Sequence, residues 1–237
     1  MISLEGSQVL VIGGSGGIGL ATARLAAELG AHVTIASRSE DRVAAAVATI
    51  NRDVRGRVVD VTSDESVQAL FADQTPWDHV IVTGSQVTIQ PVRQLPIETA
   101  RAAFDSKFWG FYRVAKFATI KPGGSLSVLT GFLGTRPVAG RALMGAINAA
   151  LDNLVKGLAL ELKPVRVNAV SPGMTNSSMW AGMDDEARSA MFAKAANTYP
   201  AGRVGEPDEI ARQLLLLAAT GFATGSIVLL DGGASIA

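Results

Sequence analysis

Short runs of β-branched and other apolar residues alternate with longer segments whose apolar residues recur at helical spacing, from one end of the chain to the other. The short runs predict strands at Gln8–Ile12, His32–Ala36, Gly56–Asp60, His79–Val82, Ser125–Thr130, Arg166–Val170 and Ser226–Leu230. The clearest helical segments between them are Ile18–Leu29, Arg42–Ile50 and Ser63–Phe71. This alternation is typical of an α/β fold, a doubly wound parallel sheet of about seven strands with helices on both faces.

Local signals fix some helix ends, and no signal divides the chain. Thr62 followed by Glu65 is a capping-box pattern, and Gly30 is suited to the residue after a helix. We find no low-complexity linker, internal repeat or shift in composition. We therefore expect residues 1–237 to form a single dinucleotide-binding domain.

The loop after the first predicted strand is rich in glycine. Residues 13 to 19 read GGSGGIG and lie between a strand pattern and a helix pattern. In a doubly wound sheet, such a loop brings a pyrophosphate close to the N–H groups at the start of the helix. Several glycine spacings fit at once, so the loop alone does not select one class of nucleotide-binding site. A merely flexible turn is the alternative, but the flanking strand and helix favour a nucleotide.

The end of the second predicted strand bears on the choice of cofactor. NAD-binding proteins of this architecture place an acid about 20 residues after the loop, where it holds the ribose 2′-hydroxyl. Here the strand ends in Ser37, Arg38 and Ser39, and the first acid is Glu40. A guanidinium and two hydroxyls suit a 2′-phosphate, so we favour NADP(H) over NAD(H). Arg38 as an ordinary solvated residue at a helix start is the alternative.

Composition excludes several functional classes. The formal net charge is zero, which argues against nucleic acid or a membrane surface as a partner. There is no cysteine and there are only two histidines, so we predict no metal site. The start of the chain has no basic segment typical of a secretion signal, and we expect no apolar run long enough to span a bilayer, with the run at Leu214–Ala219 far too short. A cytoplasmic protein is the expectation.

Motifs in a fixed order make the chain resemble the short-chain dehydrogenase/reductase family over nearly its whole length. They are Gly13 with Gly17-Ile18-Gly19, Asp60-Val61, the segment from Arg166 to Gly173, the segment from Gly202 to Pro207, and Asp231-Gly232-Gly233. The resemblance implies a Rossmann-type fold and a nicotinamide dinucleotide. The implied contacts are Gly13, Ser15, Gly16, Gly17, Ile18, Gly19, Ser37, Arg38, Asp60, Val61, Thr83, Gly84, Pro172, Gly173, Thr175 and Ser177.

The resemblance also locates the catalytic positions, and this chain departs from the family at all four. The family's Asn position is Lys107 and its Ser position is Gly131. Its Tyr and Lys positions, four residues apart on one helix, are Met144 and Asn148. In the family the Tyr transfers a proton to or from the substrate oxygen, and a methionine cannot do this.

Four residues are candidates for the missing chemistry: Lys107, Thr130, Arg141 and, at the family's lysine position, Asn148. Lys107 restores on a neighbouring helix the cation lost at Asn148, and a lysine in a dry cavity can act as an acid near neutral pH. Thr130 is the hydroxyl nearest the missing serine, and Arg141 could bind a substrate carboxylate or phosphate. The alternatives are a solvated Lys107, a Thr130 that merely ends a buried strand, and an Arg141 on the surface.

The resemblance places a mobile substrate lid near residues 174–200. This region holds four methionines and Trp180, so a partly apolar small-molecule substrate is one interpretation and packing against the domain is the other. Tyr112 and Tyr199 lie outside the catalytic Tyr position, and His32 and His79 lie at the amino ends of strands, away from the ligand crevice. The family also implies a homo-tetramer or homo-dimer.

Two hypotheses follow. The first is an NADP(H)-binding oxidoreductase of the short-chain family that acts on a carbonyl or alcohol with a non-standard catalytic set, and we favour it. The second is a catalytically inactive or non-redox homologue, acting as a nucleotide-dependent binding protein or as a lyase or cyclase. The second rests on the change of all four catalytic positions beside an intact nucleotide frame.

Overall fold

A computed structural model describes residues 3–50, 52–73, 75–86 and 89–237. Within these ranges the strands form one seven-stranded parallel sheet in the order β3-β2-β1-β4-β5-β6-β7. The strands are β1 Gln8–Ile12, β2 His32–Ser37, β3 Val54–Val58, β4 Trp77–Val82, β5 Ile120–Leu129, β6 Arg166–Pro172 and β7 Ile227–Leu230. The predicted α/β fold, a Rossmann-type parallel sheet, is confirmed.

Helices cover both faces of the sheet, and each face has its own apolar core. The helices are α1 Gly17–Glu28, α2 Glu40–Thr49, α3 Asp64–Leu70, α4 Ile97–Phe104, α5 Gly110–Phe117, α6 Ala142–Glu161, α7 Asp185–Thr198 and α8 Pro207–Ala219. A π-helical segment, Asp105–Trp109, joins α4 to α5, and short 3₁₀ turns lie at Phe132–Gly134 and Ser178–Trp180. Side chains of α3, α5 and α6 pack on one face, and those of α1, α2 and α8 pack on the other.

The strand order reverses at β1, which lies between β2 and β4. Loops that leave β1 and β4 therefore diverge to opposite faces and leave a crevice at the carboxyl ends of these strands. The start of the glycine loop is held there by main-chain bonds. The N–H of Gly13 donates to the carbonyl of Ala36, and the N–H of Thr83 donates to that of Ile12.

Two local predictions were wrong in detail. The helix cap expected at Thr62 is made by Ser63, whose hydroxyl accepts from the N–H of Ser66 at 3.1 Å. Thr62 is not free for capping because its N–H and hydroxyl both donate to Asp60. Strand β3 lies two residues earlier than predicted, because its residues 54–58 are the ones that pair with β2.

Strand β5 begins at Ile120, five residues before the predicted start at Ser125. Its first residues are Lys-Pro-Gly-Gly after Ile120, a composition that disfavours a strand. The pairing with β4 nevertheless reaches Ile120, through a register shift between Trp77 and His79. The shift accommodates the proline and glycines, which a propensity argument could not foresee.

Helix α6 has the length and hydropathy of a membrane span, contrary to the expectation that no segment would. Its apolar stripe, however, packs into the core on one face of the sheet; Ile147, Leu151 and Val155 are fully buried there. By this packing α6 is a central helix of the domain.

The amino end of β6 is anchored by a buried arginine. Arg166 is 7% exposed, and its guanidinium donates to the carbonyls of Leu217 and Ala218 at the end of α8 and to those of Thr220 and Ala223 just beyond. The carbonyls of Leu217 and Ala218 are among the last four of α8, which the helix itself leaves without partners. The guanidinium therefore ties the carboxyl end of α8 to the first residue of β6.

Candidate functional site

A cavity of about 490 Å³ opens at the carboxyl ends of the central strands. It brings together all of the residues predicted to contact a dinucleotide: Gly13, Ser15, Gly16, Gly17, Ile18, Gly19, Ser37, Arg38, Asp60, Val61, Thr83, Gly84, Pro172, Gly173, Thr175 and Ser177. It also brings together the four positions that the resemblance assigns to catalysis and two neighbouring candidates: Lys107, Thr130, Gly131, Arg141, Met144 and Asn148. We refer to the first set as the nucleotide half and to the second, together with Phe132, Leu133, Met174, Met179 and Trp180, as the reaction half.

The glycine loop is closely fitted to the chain around it. Gly13 has φ +85° and Gly17 has φ +51°, conformations that residues with side chains rarely adopt. A Cβ at Gly13 would collide with the main chain of Gly84, and one at Gly19 would collide with the carbonyl of Gly13. Helix α1 then begins with no acidic residue in its first turn and no side-chain cap at Gly16. Its first N–H groups remain available to an anion.

Two arginines, and not one, border the nucleotide half at the end of β2. Arg38 and Arg42 are exposed and both line the cavity, and an η nitrogen of Arg42 lies 3.4 Å from the Cβ position of Gly16. The hydroxyls of Ser15 and Ser37 lie 3.0 Å apart between the loop and the strand. Sequence reasoning missed Arg42. The signal was available, because residue 42 is one helical turn after the residue that caps α2, Ser39.

Asp60 is held as a charged carboxylate at the edge of the nucleotide half. Its Oδ1 accepts from the N–H of Thr62 at 2.9 Å and from the Thr62 hydroxyl at 2.8 Å. The main-chain bond from Thr62 is the largest cause of a lowered pKa, and the positive charge of Arg38 acts in the same direction. The carboxylate therefore has a fixed orientation beside Val61.

The π-helical segment carries Lys107 into the reaction half. A π-turn adds a residue to the helical turn and is often found at functional sites. The turn here is braced from outside, because Arg113 donates to the carboxylate of Asp105 at 2.9 Å and also pairs with Asp64. Lys107, two residues after Asp105, is partly buried and points toward α6.

Three acceptors surround the amino group of Lys107. Its Nζ lies 2.7 Å from Oδ1 of Asn148, 3.1 Å from the carbonyl oxygen of Thr130 and 3.9 Å from Sδ of Met144. The cation on the π-helical segment thus contacts Asn148, the residue that the resemblance places at the family's lysine position.

Gly131, at the family's serine position, fits this arrangement. A Cβ at Gly131 would lie only 2.8 Å from Nδ2 of Asn148, which is 2% exposed. The buried amide of Asn148 therefore occupies the space that a serine side chain would enter. The amide of Asn148 therefore has room because residue 131 is a glycine, and it accepts a hydrogen bond from Lys107.

Asp152 lies next to these residues and was missed by sequence reasoning. It is one helical turn beyond Asn148 and two beyond Met144, so the three share a face of α6. Burial lowers the pKa of Lys107 from the usual 10.5 to about 8, and the carboxylate of Asp152 opposes that change. Burial also raises the pKa of Asp152, against the effect of the neighbouring Thr130 and Lys107. Its Oδ1 is buried and has no hydrogen-bond partner among the described residues.

The segment predicted to be a lid contributes apolar side chains to the reaction half and also packs on the domain. Met174, Met179 and Trp180 line the cavity. Trp180 donates from Nε1 to the carbonyl of Thr175 at 3.0 Å and stands edge-on to Phe192 of α7. Packing against the domain therefore accounts for Trp180, and a partly apolar substrate stays a prediction.

The remaining candidates lie elsewhere. Tyr112 is exposed and contacts Trp109, while the hydroxyl of Tyr199 accepts from the N–H of Met174, behind the lid. Burial lowers the pKa of His79 to about 4, and its Nδ1 lies 2.9 Å from the hydroxyl of Ser125 inside the sheet. Within the described ranges no cluster of three or more metal-ligating side chains occurs.

Comparisons with known proteins agree with this geometry. The model of a family described as enoyl-(acyl carrier protein) reductase matches residues 13–235. Short-chain dehydrogenase/reductase ATR9 of Stachybotrys chlorohalonatus is 31% identical, over 99% of this chain and 99% of its own. A small-chain dehydrogenase solved in complex with NADPH is 32% identical, with a TM-score of 0.85 over 98% of this chain and 100% of its own.

A second solved structure is similar over nearly the whole chain. An NADPH-bound short chain oxidoreductase of Pseudomonas aeruginosa PAO1 is described as containing an atypical catalytic center. It is 25% identical, with a TM-score of 0.84 over 98% of this chain and 97% of its own.

Proposed function

The chain belongs to the short-chain dehydrogenase/reductase family of oxidoreductases, and we propose that it is an NADP(H)-dependent reductase of carbonyl compounds in which Lys107 donates the proton. The observation that carries this proposal is the position of the Lys107 amino group. It lies 2.7 Å from the side chain at the family's lysine position, in the same cavity as the glycine loop.

The nucleotide half fits NADP(H) by shape and by charge. The glycine loop leaves room for a pyrophosphate, which the free N–H groups of α1 would hold. Arg38, Arg42 and the Ser37 hydroxyl would hold the 2′-phosphate, and Asp60 with Val61 would border the adenine. The relative solved with NADPH, 32% identical, supports this choice. When bound, NADPH supplies a hydride to the carbonyl carbon of the substrate.

Lys107 supplies the proton in this proposal. With a pKa near 8, Lys107 is mostly protonated at neutral pH and gives up its proton more readily than an exposed lysine. Two of its three N–H groups donate to the oxygens of Thr130 and Asn148. The third points to the thioether of Met144, which is a weak acceptor. A substrate oxygen that enters beside Met144 would take over this third N–H.

Asn148 and Thr130 are positioning residues in this proposal. Their oxygens fix the direction of the ammonium group without competing for the proton, because an amide and a main-chain carbonyl are far weaker bases than an amine. Their roles replace those of the family's lysine and serine, with the charge and the amide exchanged between positions 107 and 148.

Replacement of Lys107 tests the proposal. We expect Lys107→Met to lower kcat by about 10²-fold or more, since positioned acids contribute about 10²–10⁴ in rate, and to leave NADPH affinity unchanged. Lys116→Met is the matched control, because Lys116 is exposed on α5 and outside the cavity. NADPH oxidation over a panel of ketones and oxo acids reports kcat, and calorimetric titration reports NADPH affinity. An unchanged kcat in Lys107→Met would contradict the assigned role.

The non-redox hypothesis rests on one specific observation. None of the four family positions keeps its residue, and the proton-transfer position holds the thioether of Met144. NADPH deuterated at the transferred position separates the two hypotheses. Deuterium in an alcohol product supports the reductase, whereas product formation without deuterium transfer supports a lyase or cyclase.

We also propose that the protein assembles as a homo-oligomer. Leu160 of α6 is 69% exposed, and Trp109 and Tyr112 form an exposed aromatic pair beside α5. Such side chains are more stable when a partner covers them. Light scattering of the purified protein measures the state directly, and a monomer at micromolar concentration contradicts the proposal.

A further inference from the structure

The charges in the reaction half are all positive. Lys107 and Arg141 line it, and none of the described residues lining it is an aspartate or glutamate. The other lining side chains are apolar or carry uncharged polar groups, among them Phe132, Leu133 and Met179. A substrate in this half therefore meets two cations on partly apolar walls.

Only one of these cations has hydrogen-bond acceptors within the described residues. The amino group of Lys107 donates to the oxygens of Asn148 and Thr130, and the carboxylate of Asp152 raises its pKa against the effect of burial. The guanidinium of Arg141 has no ion pair and donates no hydrogen bond within the described residues, although Arg141 is partly buried. By contrast Arg24, Arg113 and Arg203 each hold a carboxylate. Arg141 is the cation left for a ligand.

Arg141 also lines the same part of the cavity as the proposed proton donor. It directly precedes α6, and Met144, whose Sδ lies 3.9 Å from Nζ of Lys107, is three residues further on. A substrate whose carbonyl oxygen lies at Lys107 therefore shares the reaction half with the guanidinium of Arg141.

We propose that Arg141 binds a carboxylate of the substrate, and that the substrates are oxo acids whose carbonyl lies a few carbon atoms from the acid group. A carboxylate matches the planar fork of a guanidinium with two parallel hydrogen bonds and balances its single charge. A phosphate monoester carries close to two charges and calls for further donors. The inference rests on the proposed reductase function.

The reaction leaves the carboxylate unchanged. A hydride adds to the carbonyl carbon, the C=O π bond breaks, and the oxygen takes a proton from Lys107 to give a hydroxy acid. The hydride comes from the proposed NADPH, which becomes NADP⁺, and Lys107 regains its proton from solvent.

A matched substrate panel tests the inference. The probes are 4-oxopentanoate and 5-oxohexanoate, each beside its methyl ester, with NADPH. We expect kcat/KM to favour the acids by roughly 10- to 100-fold, since a hydrogen bond to a charged group is worth about 1.5–3 kcal/mol. In Arg141→Gln this preference should fall close to one, and Arg141→Lys should retain part of it. Arg136→Gln, an exposed arginine outside the cavity, should keep the full preference. Equal kcat/KM for acids and esters in the natural protein overturns the inference.

A binding measurement separates failure of the inference from failure of the reductase proposal. Protein saturated with NADP⁺ is titrated with hexanoate, which cannot be reduced, and with hexanamide as the neutral counterpart. Hexanoate binding that Arg141→Gln abolishes supports the inference even if no carbonyl compound is reduced. Reduction of the esters with no preference for acids, or no difference between hexanoate and hexanamide, overturns it while the reductase proposal stands.

Discussion

The glycine loop of the nucleotide half acts through its main chain, whereas the reaction half acts through its side chains. In the first, the contacts that matter are those of glycines so closely packed that a Cβ at Gly13 or Gly19 would strike the neighbouring chain. In the second, the geometry depends on which side chains stand at Lys107, Gly131 and Asn148. The first half carries the residues that the resemblance assigns to the dinucleotide, whereas the four positions that it assigns to catalysis hold Lys107, Gly131, Met144 and Asn148.

The difference teaches which kind of site can be rearranged. A main-chain cradle has no equivalent substitute, because only glycine fits its dihedral angles and its close contacts. A side-chain cluster can be rebuilt if its volume, charge and hydrogen bonds are conserved together. Here the amide of Asn148 fills the space beside Gly131 and accepts from Lys107, so the residues at positions 107, 131 and 148 depend on one another.

The largest expected effect is on the free energy of unfolding, and it comes from changes at Lys107 and Asn148. Asn148→Lys places a second ammonium group against Lys107 at a position that is 2% exposed, and removes an acceptor. We expect a loss of about 3–5 kcal/mol in the free energy of unfolding, which is the usual cost of an unpaired buried charge. The double variant Lys107→Asn with Asn148→Lys should recover most of this loss. Urea denaturation at a fixed protein concentration measures both.

Asn153→Lys serves as the control for that experiment, because residue 153 is exposed on the same helix and should change stability by less than about 0.5 kcal/mol. If Asn148→Lys were as stable as the natural protein, or if the double variant were no better than the single one, the two positions would not be coupled.

A smaller effect is expected at the edge of the nucleotide half. Arg38→Ser and Arg42→Ser should each weaken NADPH binding by roughly tenfold, about 1.4 kcal/mol, because both guanidiniums are exposed and partly screened. NADH binding should not change, since NADH has no 2′-phosphate. Calorimetric titration with both nucleotides gives the ratio, and Arg52→Ser, exposed and outside the cavity, is the control. Equal weakening of both nucleotides would argue against a 2′-phosphate site.

The smallest expected effect is a displacement of a pH profile. Lys107 must carry a proton to donate it, so kcat for reduction should fall as pH rises through about 8. The carboxylate of Asp152 raises the pKa of Lys107, so Asp152→Asn should move this fall to lower pH. Glu161→Gln, exposed at the end of the same helix, should leave the profile in place. If the profile moved to higher pH or did not move, the carboxylate of Asp152 would not be what raises the pKa of Lys107.

Much of the fold could be predicted because apolar patterning is a local property. The bounds of β1 match the prediction, and every residue assigned to the nucleotide lines the cavity. Strand β5 was predicted too short because its pairing through Lys-Pro-Gly-Gly depends on a register shift in β4. The β-propensity of residues 120–124 carries no information about a register shift in the neighbouring strand.

The reaction half was predicted in part, and the missed residues have a common reason. The nearness of Lys107 to residue 148 followed from the family's arrangement of helices, and the distance of 2.7 Å agrees with it. Asp152 and Arg42 stand at positions for which the resemblance assigned no role. Both lie one helical turn from a residue that was considered, so helical spacing around each candidate would have found them.

The buried guanidinium of Arg166 acts at a distance along β6. It fixes the first residue of the strand to the end of α8, and Pro172 and Gly173, which line the cavity, follow at the other end of the same strand. At about 3.3 Å per residue, the two ends are some 20 Å apart. Because a hydrogen-bonded strand does not stretch, its amino-terminal anchor determines how far its carboxyl-terminal end projects toward a bound ligand. The depth of the cavity floor thus depends on a contact at the amino end of β6.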